Sequence, residues 1–222
     1  VGGGTVAFAF EVVKRARALC PGSAGEVLQG VIGGQEVLVS LTVDRFSEME
    51  VVLGETSSIP PGLWKSRRAL ELALEYFGGE HLRGRVTLRR RRGLPEGKGF
   101  ASSTADIAAT VGAVAHLLGR KIREEEIARL ALSIEPTDGT FFPSWCLFDH
   151  LRGEVFLTLA VPQYLGVVVV ELPGEVPHPF GGPGEAPPAF LNNFPGKPRR
   201  LSSSSSGVLR RGTLPLWGKR RR

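Results

Sequence analysis

Cysteine is scarce in this chain, and the two present, Cys20 and Cys146, are too far apart in sequence for a zinc pattern or a disulfide framework. That usage fits a reducing cytoplasm. The four histidines, His81, His116, His150 and His178, have no metal-ligand spacing and by default are surface or packing residues. No apolar run approaches the roughly 20 residues needed to cross a bilayer. The run Val167 to Val170 therefore reads as a buried strand, and no membrane partner is expected. The opening segment lacks the order of a signal peptide, because Glu11 breaks its apolar run and the basic residues follow it. Residues 1–17 are taken as a poorly determined extension. No internal repeat is found.

Acidic residues are missing from one region. Residues 197–222 hold nine of the 28 Lys and Arg and no Asp or Glu, so the net charge of +6 belongs to the tail, not the body. A solvated end is the first reading of that tail, and a nucleic-acid arm the lesser one. Hydrophobic periodicity also vanishes late in the chain. Nine of the 16 prolines fall in residues 173–222, beside eight glycines and the run Ser202 to Ser206. Residues 176–222 are accordingly expected to be a disordered or loosely attached tail.

What remains has strong local patterns and supports an α+β body. Val31 to Leu53 reads as strands with a hairpin turn at Gly33-Gly34, preceded by Ala18 to Gly30, which Pro21, Gly22, Gly25 and Gly30 punctuate. Trp64 to Phe77 carries Leu70, Ala73, Leu74 and Phe77 at helical spacing and ends at Gly78-Gly79. Arg85 to Arg92 reads as a strand. Its Arg89 to Arg92 run is either a solvated strand end or a steering patch for an anion. A helix with Ile107, Val111, Val114, Ala115 and Leu118 on one face follows, its other face small enough to pack closely. Arg123 to Ile134 is a further helix with an acidic first turn, and Val155 to Ala160 and Leu165 to Leu172 are two more expected strands.

The stretch Gly93 to Leu118 organises the rest. Glycines and hydroxyls meet a helix start there, a junction that offers backbone N–H groups and the positive end of a helix dipole to a phosphate. A Walker A loop fails on spacing, since Gly93 and Gly97 enclose three residues and Lys98 is followed by Gly99. A dinucleotide fingerprint fails as well, with Ser102 where its third glycine belongs. Pro95-x-Gly97-x-Gly99-Phe100-Ala101-Ser102-Ser103-Thr104-Ala105 remains.

That segment resembles the second motif of the GHMP small-molecule kinases, Pro-x-x-x-Gly-Leu-Gly-Ser-Ser-Ala, with Phe100 and Ala101 replacing its Leu and second Gly. Cys20-Pro21-Gly22-Ser23-Ala24-Gly25-Glu26-Val27-Leu28-Gln29-Gly30 is similar to the family's first motif, in the form used by the subgroup that phosphorylates L-threonine in cobalamin synthesis and salvage. Glu135-Pro136-Thr137-Asp138-Gly139-Thr140-Phe141-Phe142 and Leu147-Phe148-Asp149-His150 resemble that subgroup's next block. The resemblance covers about residues 18–172. It implies a GHMP-kinase N-terminal lobe (ribosomal protein S5 domain 2-like) over 18–160 and the start of a C-terminal ferredoxin-like lobe over 161–175. The family's third motif is not found beyond residue 172. A C-terminal lobe truncated or frame-disrupted in sequence is the expectation.

The resemblance further implies ATP and Mg²⁺ as cofactors and a small amino acid, L-threonine, as substrate. Pro95, Gly97, Lys98, Gly99, Ala101, Ser102, Ser103 and Thr104 become the phosphate-binding candidates, with Lys98 equally readable as an exposed loop residue. Ser103 and Glu135 are the magnesium candidates, with Glu126 as rival to the second. The competing account of the loop is an ordinary capping box, Ser103-Thr104-Ala105-Asp106, in which Asp106 is a cap partner. Asp138 is the candidate catalytic carboxylate, set against a plain Pro-Thr-Asp-Gly turn. Ser23, Glu26, Gln29 and Thr137 are the substrate candidates. The lysine that some members place near position 23 is absent, and Cys20 reads as a buried small residue. The leading function is an ATP:L-threonine phosphotransferase making O-phospho-L-threonine. Homoserine or another small alcohol, and a non-catalytic nucleotide-binding remnant, are the alternatives.

Overall fold

The computed structural model describes residues 14–162, 164–170 and 173–174. Its frame is an antiparallel five-stranded sheet in the order β1-β2-β4-β5, with β3 also paired to β2. Strands β1 (Arg15–Ile32) and β2 (Gln35–Leu53) make one long hairpin whose turn residues, Gly33 and Gly34, have φ of 60° and 81°. Two successive positive φ values are what a type I′ turn requires, so glycine is needed at both. Along its other edge β2 pairs near Leu38 with β4 (Trp145–Asp149), and from Glu48 to Leu53 with β3 (Val86–Arg92). Strand β5 (Val155–Leu159) closes the sheet against β4.

Period-two alternation sends Ala16, Ala18 and Cys20 of β1, Met49 and Val51 of β2, and Val86 and Leu88 of β3 into the core. Three helices cover that face: α1 (Trp64–Phe77), α2 (Ser102–Leu117) and α3 (Glu124–Leu132). Helix α2 is buried nearly all round, from Thr104 to Leu117 except at His116, because it lies between the sheet and the other two helices. The small residues Ala108, Ala109, Gly112 and Ala113 allow that double contact. Gly78, in the left-handed conformation at φ 74°, ends α1 as anticipated, with Gly79 N–H returning to the Leu74 carbonyl. No helix among the described residues is long and apolar enough to cross a membrane.

Three expectations need correction. The chain from Ala18 to Gly30 is not a loop before the strands; it is β1 itself, which begins at Arg15, inside the expected extension. Pro21, Gly22 and Gly25 mark bulges in it, with register shifts between Pro21 and Ser23, Ser23 and Glu26, and Glu26 and Leu28. Leu165 to Leu172 does not form the expected strand over its described residues, 165–170, where no ladder partner exists and Val168 is 92% exposed. An isolated apolar run has nothing to satisfy its backbone as a strand. The tail expected over 176–222, and residues 1–13, lie outside the described residues.

The bulge at Pro21-Gly22 brings β1 against the loop Gly93–Ala101 that joins β3 to α2. Ser23 N–H donates to the Phe100 carbonyl at 3.1 Å, and a Cβ on Gly22 would stand 2.6 Å from that oxygen. Within the loop Gly97 and Gly99 have φ of 65° and 73°, and Ala101, at φ 52°, is the one non-glycine with positive φ among the described residues. Gly22→Ala should therefore destabilise the fold by about 1–3 kcal/mol in urea titration. Ala101→Gly should stabilise it, raising the unfolding free energy by about 1 kcal/mol as left-handed strain is relieved; a loss of stability would show that Ala101 is not strained.

Candidate active site at the start of helix α2

Helix α2 begins without a side-chain cap. Its N-cap residue is Ala101, which has no acceptor to offer the first-turn N–H groups. The capping-box alternative fails on geometry. Ser103 Oγ donates to Glu135 Oε1 instead. Asp106 faces inward, where its Oδ1 accepts from Ser47 Oγ and its Oδ2 from Arg90 at 3.0 Å. The spacing alone could not separate these outcomes, because a carboxylate three residues after a serine suits either a cap or a buried network.

The block after α3 closes on this helix start. Thr104 Oγ1, buried, accepts from the Asp138 N–H at 3.3 Å and from the Thr137 hydroxyl at 3.2 Å. Gly139 N–H donates to Ser40 Oγ of β2 at 3.0 Å. Phe141 and Phe142 pack against Phe148 of β4 and anchor the block in the core. Ser103, Thr104, Glu135, Thr137 and Asp138 are thus brought to one place by four elements of structure.

Carboxylates crowd there. Glu135 is buried, and Asp138 is half-buried. Burial pushes the Asp138 carboxyl up to about 7, helped by the negative charges of Glu26 and Glu135 and opposed by its bond with Thr104. Across the cluster, Lys65 of α1 donates from Nζ to Glu135 Oε2 at 2.5 Å. Sequence reasoning missed Lys65, which carries no local signal in a helix pattern. It supplies an ammonium to this region although the lysine sought near position 23 is absent.

Other candidates fall elsewhere. Lys98 donates to the Gly174 carbonyl at 2.6 Å. Glu126, the rival metal ligand, accepts from Tyr76 and from the Arg123 N–H at 2.8 Å, and so caps α3. Ser23 is buried beneath the loop by its backbone bond to Phe100. Glu26, exposed, is near enough to act on Asp138, whereas Gln29 lies further along β1 opposite Leu38, exposed and not hydrogen-bonded to the cluster among the described residues. Cys20 is fully buried, and burial raises its thiol to about 12, so it is inert packing. The arginine run divides by strand alternation: Arg89 stands outward, 3.9 Å from Glu50, while Arg90 turns in toward the loop.

A cavity of about 340 Å³ opens beside the loop, between Asp44–Phe46 at one end of a β2 segment and Arg92–Pro95. Its size is in the range of small-ligand pockets. No cluster of three or more His, Cys, Asp or Glu among the described residues could hold a metal by itself. The donors present, a serine hydroxyl against a buried carboxylate, do fit Mg²⁺, which takes hard oxygens and draws the others from phosphate and water.

Residues 65–142 match the family model described as GHMP kinases N terminal domain. A curated L-threonine kinase of Salmonella typhimurium is 40% identical over 160 residues, 70% of this chain and 52% of that protein. One of Citrobacter freundii is 39% identical over 157 residues, 70% of this chain and 54% of that protein. The chain thus spans about half the length of these relatives. A crystal structure of mevalonate kinase superimposes with a TM-score of 0.47 at 14% identity, over 67% of this chain and 56% of that one. The chain carries the N-terminal domain of the GHMP kinases.

Proposed function

We propose that this chain binds Mg·ATP at the loop Gly93–Ala101 and the start of α2, and that it belongs to an ATP:L-threonine phosphotransferase acting in cobalamin synthesis in the cytoplasm. The observation that carries the reading is an uncapped helix start with Ser103, Glu135 and Asp138 gathered beside it. The threonine assignment rests on the relatives of that name and on the first block's resemblance.

In this reading Gly97, Gly99 and Ala101 let the backbone approach the triphosphate, and the Ser102, Ser103 and Thr104 N–H groups and hydroxyls face its oxygens. The adjacent cavity is large enough for the nucleoside. Ser103 and Glu135 are the residues that would hold Mg²⁺; when bound it supplies charge neutralisation on the phosphates. Lys65 balances part of the Glu135 charge. Asp138 accepts or orients the proton of the attacking hydroxyl, and Glu26 and Thr137 meet the amino-acid substrate. Positioning and charge neutralisation dominate such a transfer, so the base contributes modestly.

The test is phosphorylation by the purified chain, comparing L-threonine with L-serine and L-homoserine. Product from threonine above the other two supports the assignment, and homoserine as the better substrate replaces it. Because the chain spans about half of its relatives, a nucleotide-binding but non-catalytic unit is the second reading; a thermal shift with Mg·ATP and no turnover selects it.

Ser103→Ala should weaken Mg·ATP binding about tenfold; wild-type affinity in that variant would remove the serine from the phosphate site. Asp138→Asn should leave nucleotide affinity nearly intact and lower kcat about 10- to 100-fold. The Asp138 carboxyl sits near 7 in the folded chain, so its proton-accepting form accumulates as pH rises through that value. The wild-type kcat/KM should climb across that interval and the Asp138→Asn profile should be flat there; a wild-type profile already level through it would exclude Asp138 as the base.

A further inference from the structure

Strand alternation places Arg90 on the inward side of β3, in line with Val86 and Leu88, where another apolar residue would be ordinary. Its side chain runs beneath the start of the loop, since a Cβ on Gly93 would lie 3.2 Å from its Nε. From there its Nη1 donates to Glu96 Oε1 at 2.5 Å and to Asp106 Oδ2 at 3.0 Å. Asp106 is in turn held by Ser47, a wholly buried residue of β2. One guanidinium therefore ties the middle of the loop to helix α2 and to the sheet.

The loop needs such a tie. Between Gly93 and Ala101 it adopts three left-handed residues, Gly97, Gly99 and Ala101, and a strained backbone of that kind persists only where its surroundings over-determine it. The Asp106 end of the tie is buried and the Glu96 end is exposed, at 9% and 66% side-chain accessibility. A buried ion pair is a poor source of net stability compared with apolar packing, and its better-attested use is to fix one geometry. Glu96 also sets a negative charge in a loop read as a phosphate site, which is adverse for an anion unless the charge is paired. Pairing with Arg90 cancels it and draws the loop toward α2.

We infer that Arg90 is a positioning residue for the phosphate loop, holding Gly93–Ala101 in its ligand-ready curve through Glu96 on one side and Asp106 on the other. Its ligand-binding consequence rests on the nucleotide reading above; its effect on loop order does not. The informative variant is Glu96→Gln, which breaks the exposed end of the tie and leaves the buried pair in place. An exposed ion pair adds about 0–1 kcal/mol to global stability, so a structural contact alone predicts an unchanged protein. Simple electrostatics predicts tighter binding of a nucleotide once a negative charge is gone.

The experiment compares the whole chain as wild type, Glu96→Gln and Arg90→Lys. It measures amide hydrogen exchange of residues 93–101 without ligand, affinity for a non-hydrolysable ATP analogue with Mg²⁺, and the thermal midpoint. Glu96→Gln should exchange about tenfold faster in the loop and bind the analogue about five- to tenfold more weakly, at an unchanged midpoint. Arg90→Lys keeps the charge but loses the planar fork, and should fall between Glu96→Gln and wild type. Unchanged loop exchange in Glu96→Gln overturns the inference, and so does equal or tighter analogue binding. If the wild type binds no analogue while Glu96→Gln still exchanges faster, the tie stands and the nucleotide reading is what fails.

Discussion

The hydrogen bond from Ser103 to Glu135 joins two stretches of chain that are far apart in sequence and that do nothing chemical separately. It can form only because α2 starts without a side-chain cap, leaving the serine hydroxyl to reach outward while the first-turn N–H groups face the loop. Thr104 makes the same junction rigid by accepting from the backbone of Asp138 and the hydroxyl of Thr137. The bulged β1 matters for the same reason: Gly22 and Ser23 press on the Phe100 carbonyl and keep the loop over the helix start. Sheet, loop, helix and the Glu135–Thr140 block are thereby one constraint.

Electrostatically the site is arranged against the stability of its own fold. Glu26, Glu135 and Asp138 are close enough that the Asp138 carboxyl is raised to about 7. With Lys65 offsetting Glu135 alone, the cluster is more negative than a core of this kind would hold without a purpose. A cation brought with phosphate oxygens resolves that excess. Crowded carboxylates beside open helix N–H groups are what a magnesium nucleotide needs and what a packed interior otherwise avoids.

Local chemistry made much of this legible before any coordinates. The hairpin at Gly33-Gly34, the end of α1 at Gly78-Gly79 and the small-residue faces of α2 each follow from residues adjacent in sequence. The three motif blocks were visible for the same reason. Features set by distant partners were not. Pro21, Gly22 and Gly25 read as loop punctuation because a bulge in a long strand uses the same residues as a turn. Asp106 sits at capping distance from Ser103 along the chain, and only Arg90 and Ser47, arriving from β3 and β2, turn it inward. Lys65 joins Glu135 across α1 without leaving a pattern, and the apolar run at 165–170 resembles a strand but lacks a neighbour to pair with.

The central claim is that Ser103 and Glu135, at an uncapped helix start, form half of a magnesium–nucleotide site. Calorimetric titration of the wild-type chain with a non-hydrolysable ATP analogue, in the presence and absence of magnesium, tests it most directly. Saturable one-to-one binding that weakens markedly when magnesium is removed is the expected result. No saturable binding, or the same affinity with and without the metal, would contradict it.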